Sequence, residues 1–302
     1  MNFKTFDFVK HRKYYFILSA ILIIAGIVSL FLHGLNLGVD FSSGTRVQIQ
    51  IGKTFVEKDI EQAIKKIGME PGSITTSGAN LDNAVVMFQD PMTKDQYAQL
   101  TKVMQEKYGA QVSLQESTVN PLVSKELAKS ALYALLFASI GIVLYITIRF
   151  EHRLAISAII ALLHNVFLVI SLFSLFQIEV DLPFIAAILT IVGYSVHDNI
   201  IIFDRIRDNL KHMKLKTVQD VEDLVNKSIR STFVRSINTV LTVLIMAVAL
   251  YIHGGESIKN FTLALIIGLT FGAYSSIFIA SQLWVQWREH DLKREKTKRK
   301  PA

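Results

Sequence analysis

The sequence contains no cysteine, and this absence excludes disulfide bonds, thiolate catalysis and cysteine-based metal sites. Charged residues are also scarce, at 19% of the chain, whereas a typical soluble protein has about 25%. The sequence holds no HExxH motif, and no nucleophile–base pair lies within an apolar stretch. We therefore expect no enzymatic activity, no metal site and no cofactor.

The apolar residues of the chain are gathered in long blocks with few charged residues. The chain has 302 residues, of which 51% are hydrophobic, and its mean hydropathy is +0.39. Several blocks reach the roughly 20 residues that a helix needs to cross about 30 Å of hydrocarbon. We predict an α-helical polytopic membrane protein with six transmembrane helices, at 14–34, 127–149, 154–177, 182–203, 233–252 and 261–284. The first helix is expected to be a retained signal anchor, because no small-x-small cleavage site follows it.

Most of the positive charge lies in segments that share one side of the membrane if the chain crosses it six times. The net charge of +7 would suit nucleic-acid binding only if it were gathered on a folded surface, so no nucleic-acid partner is expected. Lysine and arginine are concentrated in four segments: four in 1–13, two in 149–153, eight in 204–235 and seven after Trp284. The two intervening loops, 177–181 and 253–260, together hold only Lys259. The positive-inside rule then places both termini in the cytoplasm.

A long polar segment separates the first two predicted helices. Its alternating and helical apolar spacings predict strand 45–51, helix 56–68, strand 72–77, strand 83–89, helix 93–108 and strand 111–117. The order β-α-β-β-α-β is that of a ferredoxin-like α+β fold. The segment contains no histidine and its acidic residues are scattered, so we expect an extracytoplasmic domain without a catalytic constellation.

These assignments divide the chain into five parts. They are a cytoplasmic N-terminus at 1–13, a first transmembrane helix at 14–34, the extracytoplasmic domain at 35–126, a bundle of the other five helices at 127–285 and a basic cytoplasmic tail at 286–302. Within the bundle, segment 204–232 is basic and has apolar residues at helical spacing. It is either an interfacial helix on the inner leaflet or a docking site for a cytoplasmic partner.

One carboxylate lies well inside the fourth apolar block. An ionisable residue in a span costs about 2.5–3.5 kcal/mol on insertion scales, so Asp198 is a functional candidate. Ser195 and Asn199 share its helical face. Arg235, just inside the fifth block, is expected at a similar depth. An Asp198–Arg235 pair could relay protons; the alternatives are a structural ion pair, or an arginine that snorkels to the interface.

Other polar positions have weaker signals. His164 and Asn165 lie midway through the third block and indicate either a relay or an interhelical hydrogen bond. Asp40, at the start of the external domain, is expected in a turn with a local side-chain hydrogen bond. In the last block, small residues that favour close helix packing recur every four positions: Gly268, Gly272, Ser276 and Ala280.

Two motifs resemble a known family. Gly38-Val39-Asp40-Phe41 is followed by Gly44-Thr45, and Gly193-Tyr194-Ser195-x-x-Asp198 runs into Phe203-Asp204-Arg205-Ile206-Arg207. Both resemble signatures of the SecF family, which pairs with SecD and belongs to the RND transporter superfamily. The resemblance covers essentially the whole chain. It also includes Leu163-His164, Glu179, Asp181, Arg235 and Gly254-Gly255.

The resemblance implies an RND-type half-transporter in a bacterial cell membrane. Such a chain would pair with SecD, associate with the SecYEG channel, and act on preproteins after the SecA motor, using the proton-motive force. Asp198 and Arg235 would belong to the proton pathway. The alternatives are half of an RND-type exporter of small molecules or lipids, or a non-conducting scaffold of a translocase.

Two residues depart from the pattern of the family. Asn165 stands where relatives often carry aspartate, so helix three is not expected to hold a titrating carboxylate. Ser43 replaces the first glycine of a Gly-Gly pair. We therefore expect that the backbone at position 43 does not need a positive φ.

Overall fold

A computed structural model describes residues 6–77, 82–213 and 215–298. The first five residues of the predicted N-terminus, the last four of the basic tail and position 214 of segment 204–232 lie outside them. The helices are α1 (Arg12–Leu32), α2 (Val39–Ser42), α3 (Glu57–Lys66), α4 (Lys94–Tyr108), α5 (Pro121–Arg149), α6 (His152–Leu175), α7 (Leu182–His212), α8 (Val218–His253), α9 (Lys259–Tyr274) and α10 (Ser281–Lys298). The strands are β1 (Gly44–Gln50), β2 (Ser73–Ser77), β3 (Asn83–Phe88) and β4 (Ser113–Val119).

Six helices in the described part of the chain are long and apolar enough to cross a membrane. They are α1, α5, α6, α7, α8 and the continuous helix formed by α9, a π-helical turn at Ser275–Ala280 and α10. The predicted six-helix membrane architecture is confirmed. Only 11–17% of the most apolar window of α1, α5 and α8 is buried, against 50–61% for the other three. The bundle is therefore built around α6, α7 and α9, and the outer three helices present most of their surface to lipid or to a partner.

Glycine allows α7 and α9 to approach closely at the centre. A Cβ added at Gly268 of α9 would overlap the side chain of Ile191 on α7. Ile191 is fully buried. The small-residue spacing of the last helix therefore serves packing within the chain at this position.

The polar segment between α1 and α5 forms the predicted ferredoxin-like domain. Its four strands make an antiparallel sheet in the order β2-β3-β1-β4. Val47 of β1 lies opposite Val86 of β3, and both are completely buried against α3 and α4. Thr93 caps α4, because its hydroxyl accepts from the N–H of Gln96 and the Gln96 side chain accepts from the N–H of Thr93.

Segment 204–232 differs from an interfacial helix. Its described residues belong to the C-terminal end of α7, the connection to α8 and the first turns of α8, which begins with a capping box at Thr217. Ile206 and Leu224 are fully buried in the bundle core, and Leu215 packs partly buried against it, rather than facing a leaflet. Packing the two helix ends against each other removes this apolar surface from water, which is favourable. The helices α7 and α8 therefore extend beyond the apolar blocks.

The turn before β1 does not have the expected backbone. Ser43 adopts φ 64° and ψ 170°, a region that is nearly exclusive to glycine. Gly44 has φ 112°, and a Cβ there would overlap the carbonyl oxygen of Phe88. The expectation that position 43 needs no positive φ is wrong, because the chain turns sharply from α2 into β1 at both residues.

We predict that Ser43→Gly stabilises the chain by about 1 kcal/mol, because it removes the strain of a non-glycine residue at this φ and ψ. Ser42→Gly is the matched control. It lies one residue earlier in α2 and should be neutral or destabilising. Denaturant unfolding of the purified chain measures both, and a loss of stability in Ser43→Gly would contradict the assigned strain.

Candidate functional site

Asp198 of α7 lies in the interior of the bundle. It is 3% exposed, and Ser195 and Asn199 on the same face are 3% and 2% exposed. Its Oδ1 has no hydrogen-bond partner in the described part of the chain. Nδ1 of His197, on a half-exposed side chain, lies 3.8 Å from this oxygen, which is beyond hydrogen-bond range. His197 thus lies beside Asp198, although two successive residues of a helix point to different faces of that helix.

Arg235 lies elsewhere. It is exposed on α8, where it lines an open groove with Asn238, Thr239 and Thr242. No ion pair joins Arg235 to Asp198 among the described residues. The predicted pair is not formed within this chain, because α7 directs Asp198 into the bundle while α8 directs Arg235 out of it.

Asn165 and Ser195 meet at the centre of the bundle. The amide nitrogen of Asn165 donates to Oγ of Ser195 at 2.6 Å and to the carbonyl oxygen of Gly268 at 3.2 Å. Gly272 leaves space for this contact, since a Cβ there would lie 3.1 Å from the amide nitrogen and 3.2 Å from the hydroxyl. These two hydrogen bonds fix α6, α7 and α9 relative to one another, one helical turn from Asp198.

His164 forms a second interhelical contact. Its Nδ1 lies 2.7 Å from Oγ of Ser275, the first residue of the π-helical turn. Its Nε2 is buried and has no partner among the described residues, and the same is true of Oδ1 of Asn165 and Oγ of Ser276. Buried polar atoms are normally paired, and π-helical turns are frequent at functional sites. The interior of α6 and the last helix therefore holds three buried polar atoms whose hydrogen-bonding capacity the described residues do not use.

The polar residues near the C-terminal end of α7 connect neighbouring helices. Asp204 accepts from Arg149 of α5 at 3.0 Å and pairs with Arg207 at 3.0 Å. Arg205 donates to the hydroxyl of Ser231 on α8 at 3.0 Å. These contacts are far from Asp198 along the helix and have the geometry of structural ties.

The motif after the first helix forms the junction between the external domain and the bundle. Oδ2 of Asp40 accepts from the backbone N–H of Leu182 on α7 at 2.8 Å, a long-range bond in place of the expected local turn. Thr45 Oγ1 lies 2.9 Å from the hydroxyl of Thr118 and accepts from the N–H of Met92 at 2.7 Å. The motif therefore joins three elements that are distant in sequence.

Two ion pairs could not be predicted from the spacing of residues in the sequence. Arg12 at the start of α1 donates through its two terminal guanidinium nitrogens to the carboxylate of Glu289 on α10. Arg46 of β1 faces Glu179 in the loop between α6 and α7. Each pairs residues more than 100 positions apart. No group of three histidine, cysteine or acidic side chains in the described ranges could hold a metal ion.

Comparisons with known proteins decide the family. A model described as "Protein export membrane protein SecD/SecF, C-terminal" matches residues 99–290. A second, the SecD/SecF GG motif, matches residues 28–54, which include the strained turn at Ser43 and Gly44. The chain belongs to the SecD/SecF family.

Relatives in this family come in two lengths. The chain is 46% identical to the protein translocase subunit SecF of Alicyclobacillus acidocaldarius and covers 95% of that protein. It is 45% identical to the protein translocase subunit SecDF of Bacillus subtilis but covers only 40% of it. A crystal structure of SecDF from Thermus thermophilus superposes with a TM-score of 0.84 at 30% identity, over 94% of this chain and 38% of that one.

We predict that Ser195→Ala destabilises the folded chain by about 1 kcal/mol, because the buried Asn165 amide loses its shorter hydrogen bond. Thr190→Ala is the matched control on the same helix, since the Thr190 hydroxyl donates to the Ala186 carbonyl within α7 rather than to another helix among the described residues. Unfolding of the purified protein in detergent compares them. Equal stability of the two variants would show that the hydrogen bond between Asn165 and Ser195 does not stabilise the bundle.

Proposed function

We propose that this chain is a SecF-type subunit that uses the proton-motive force, together with a SecD half, to promote preprotein export through the SecYEG channel. The observation that carries the proposal is Asp198, a carboxylate buried in the interior of a transmembrane bundle, whose Oδ1 has no hydrogen-bond partner among the described residues and lies 3.8 Å from Nδ1 of His197. Both termini would lie in the cytoplasm of a bacterium, because the basic segments share one side of the membrane.

A buried, unpaired carboxylate is suited to binding and releasing protons. Its charged form is strongly disfavoured away from water, so protonation changes the local energy by more than it would at a surface. A charge that crosses 100 mV gains about 2.3 kcal/mol. That energy is enough to bias a two-state rearrangement of α6, α7 and α9, whose interhelical bonds surround the site.

The second half would be supplied by a SecD chain. Relatives named SecDF are about two and a half times as long as this chain, which supports a partner of similar architecture. The groove on α8 is the surface best suited to it, because Arg235 there is exposed on a helix that is mostly apolar. An arginine in hydrocarbon needs a counter-charge, and the partner half would provide one.

We expect that Asp198→Asn abolishes the proton-driven part of preprotein export while assembly with the SecD half persists, since the amide keeps the shape but cannot titrate. Arg235→Met should lose most of the same activity. Export into inverted membrane vesicles, with and without a proton gradient, measures the effect. Asp208→Asn is the control, because Asp208 is exposed near the C-terminal end of the same helix and pairs there with Lys211.

Normal proton-driven export in both Asp198→Asn and Arg235→Met would refute the relay and leave a non-conducting scaffold. The cargo is tested by co-purification from native membranes. A SecD-like chain and the channel are expected to co-purify with this subunit. A complex without the channel, coupled to efflux of small molecules or lipids, would instead indicate half of an exporter.

A further inference from the structure

A buried asparagine of α8 binds the segment that precedes α1, residues 6–11, which we call the N-terminal segment. Oδ1 of Asn226 accepts hydrogen bonds from the backbone N–H groups of Phe8 at 2.8 Å and Val9 at 3.3 Å. Nδ2 of the same amide donates to Oδ1 of Asp7 at 2.8 Å. Asn226 is 4% exposed. One buried amide therefore makes three hydrogen bonds to a segment that is more than 200 positions away in the sequence.

The N-terminal segment and the first turn of α1 pack against the π-helical turn of the last helix. The ring of Phe8, which is 2% exposed, lies 6.0 Å from the ring of Phe278, measured between centroids. The ring of Tyr15 lies 4.5 Å from that of Phe278. The hydroxyl of Tyr274, the residue before the turn, donates to the carbonyl oxygen of Tyr15 at 2.8 Å. The turn is therefore held from one side by the N-terminal segment and α1.

The two parts of the last helix are held separately on either side of this turn. On α9, Gly268 accepts a hydrogen bond from α6 and packs against α7. On α10, Glu289 pairs with Arg12 of α1, and Asp291 pairs with Arg153 of α6. A π-helical turn holds about one residue more than an α-helical turn, and one residue of an α-helix corresponds to about 100° of rotation. The contacts therefore set α10 at a rotation that a continuous α-helix would not give it.

Two polar side chains at the turn do not stabilise its π-helical form. Oγ of Ser276, within the turn, and Oε1 of Gln282, just after it, are buried and have no hydrogen-bond partner among the described residues. Buried polar atoms are normally paired. The π-helical form is therefore maintained by the contacts that hold α9, α10 and Phe278, and it depends on the elements that make them.

We propose that the N-terminal segment is a latch that keeps the last helix in its π-helical form while the segment is docked on Asn226. When the segment undocks, the turn rewinds towards an α-helix, α10 rotates by up to about 100°, and the ion pair of Glu289 with Arg12 breaks. The docking of the segment and the rotation of α10 are then one two-state device. The inference goes beyond the proposed function and does not rest on it, because it involves neither Asp198 nor a SecD half.

A purely structural anchor predicts a different result. In that case, loss of the hydrogen bonds to Asn226 lowers the stability of the folded chain, but α10 keeps its rotation. The pair of Asp291 with Arg153 and the burial of Trp284, which is 1% exposed, would hold it in place. A latch instead changes the rotation of α10 in protein that is still folded. A distance measured on the folded chain separates the two cases.

The absence of cysteine allows two spin labels to be placed on the full chain in lipid nanodiscs. One label is attached at His290→Cys on the exposed face of α10, and the other at His212→Cys at the end of α7. A rotation of about 100° moves a side chain on the surface of a helix by roughly 8 Å. We expect one distance in the chain that carries only the labels. Asn226→Leu, which cannot bond the N-terminal segment, should add a second distance that differs by up to about 8 Å.

A second variant and a matched control complete the comparison. Phe8→Ala removes the ring that packs on the turn and leaves Asn226 in place, so it should give the same second distance. Gln219→Leu is the control, because Gln219 is exposed on α8 and donates to Asp223 of the same helix. It should keep the single distance. One unchanged distance in folded Asn226→Leu or Phe8→Ala would overturn the proposal, and so would a second distance in Gln219→Leu.

The latch is also testable without a destabilising variant. Lys10→Cys, on the exposed side of the N-terminal segment, replaces the label on α10 and reports undocking of the segment. As the temperature is raised towards unfolding, the undocked fraction and the rotated fraction of α10 should rise together. Undocking of the segment without rotation of α10 would identify a structural anchor and overturn the latch.

Discussion

Backbone and side-chain polar groups in the core of a bilayer must find partners within the protein, because no water reaches them. Six long helices satisfy the backbone of the spans, and interhelical contacts such as that of Asn165 to Ser195 pair some of the interior side chains. Among the described residues, Oδ1 of Asp198 and the side-chain amide of its neighbour Asn199 are buried without a hydrogen-bond partner. The packing of α6, α7 and α9 therefore encloses a carboxylate whose polar environment is incomplete within this chain.

Charged side chains are paired at one end of the bundle. There, Arg149 pairs with Asp204, and Arg12 pairs with Glu289. In the interior, Oδ1 of Asp198 has no hydrogen-bond partner among the described residues, and Nδ1 of His197 lies 3.8 Å from it. Ion pairs therefore join the helices at that end, whereas interhelical hydrogen bonds such as that of Asn165 to Ser195 join them in the interior.

Much of this was predictable from sequence, for identifiable reasons. Hydrophobic block length gave the six helices, and the alternation of strand and helix patterns gave the ferredoxin-like domain. The buried stripe of Ser195, Asp198 and Asn199 followed from helical spacing. The strain at Ser43, the outward direction of Arg235 and the Arg46–Glu179 contact did not follow, because each depends on how elements far apart in sequence are rotated against one another.

The central claim is that Asp198 exchanges protons across the bundle. Its most direct measurement is proton flux into sealed vesicles that contain this chain and its SecD half, followed by an internal pH-sensitive dye after an acid pulse outside. The account predicts flux in the unsubstituted complex that Asp198→Asn reduces to the level of protein-free vesicles. Flux that is unchanged in Asp198→Asn would contradict it.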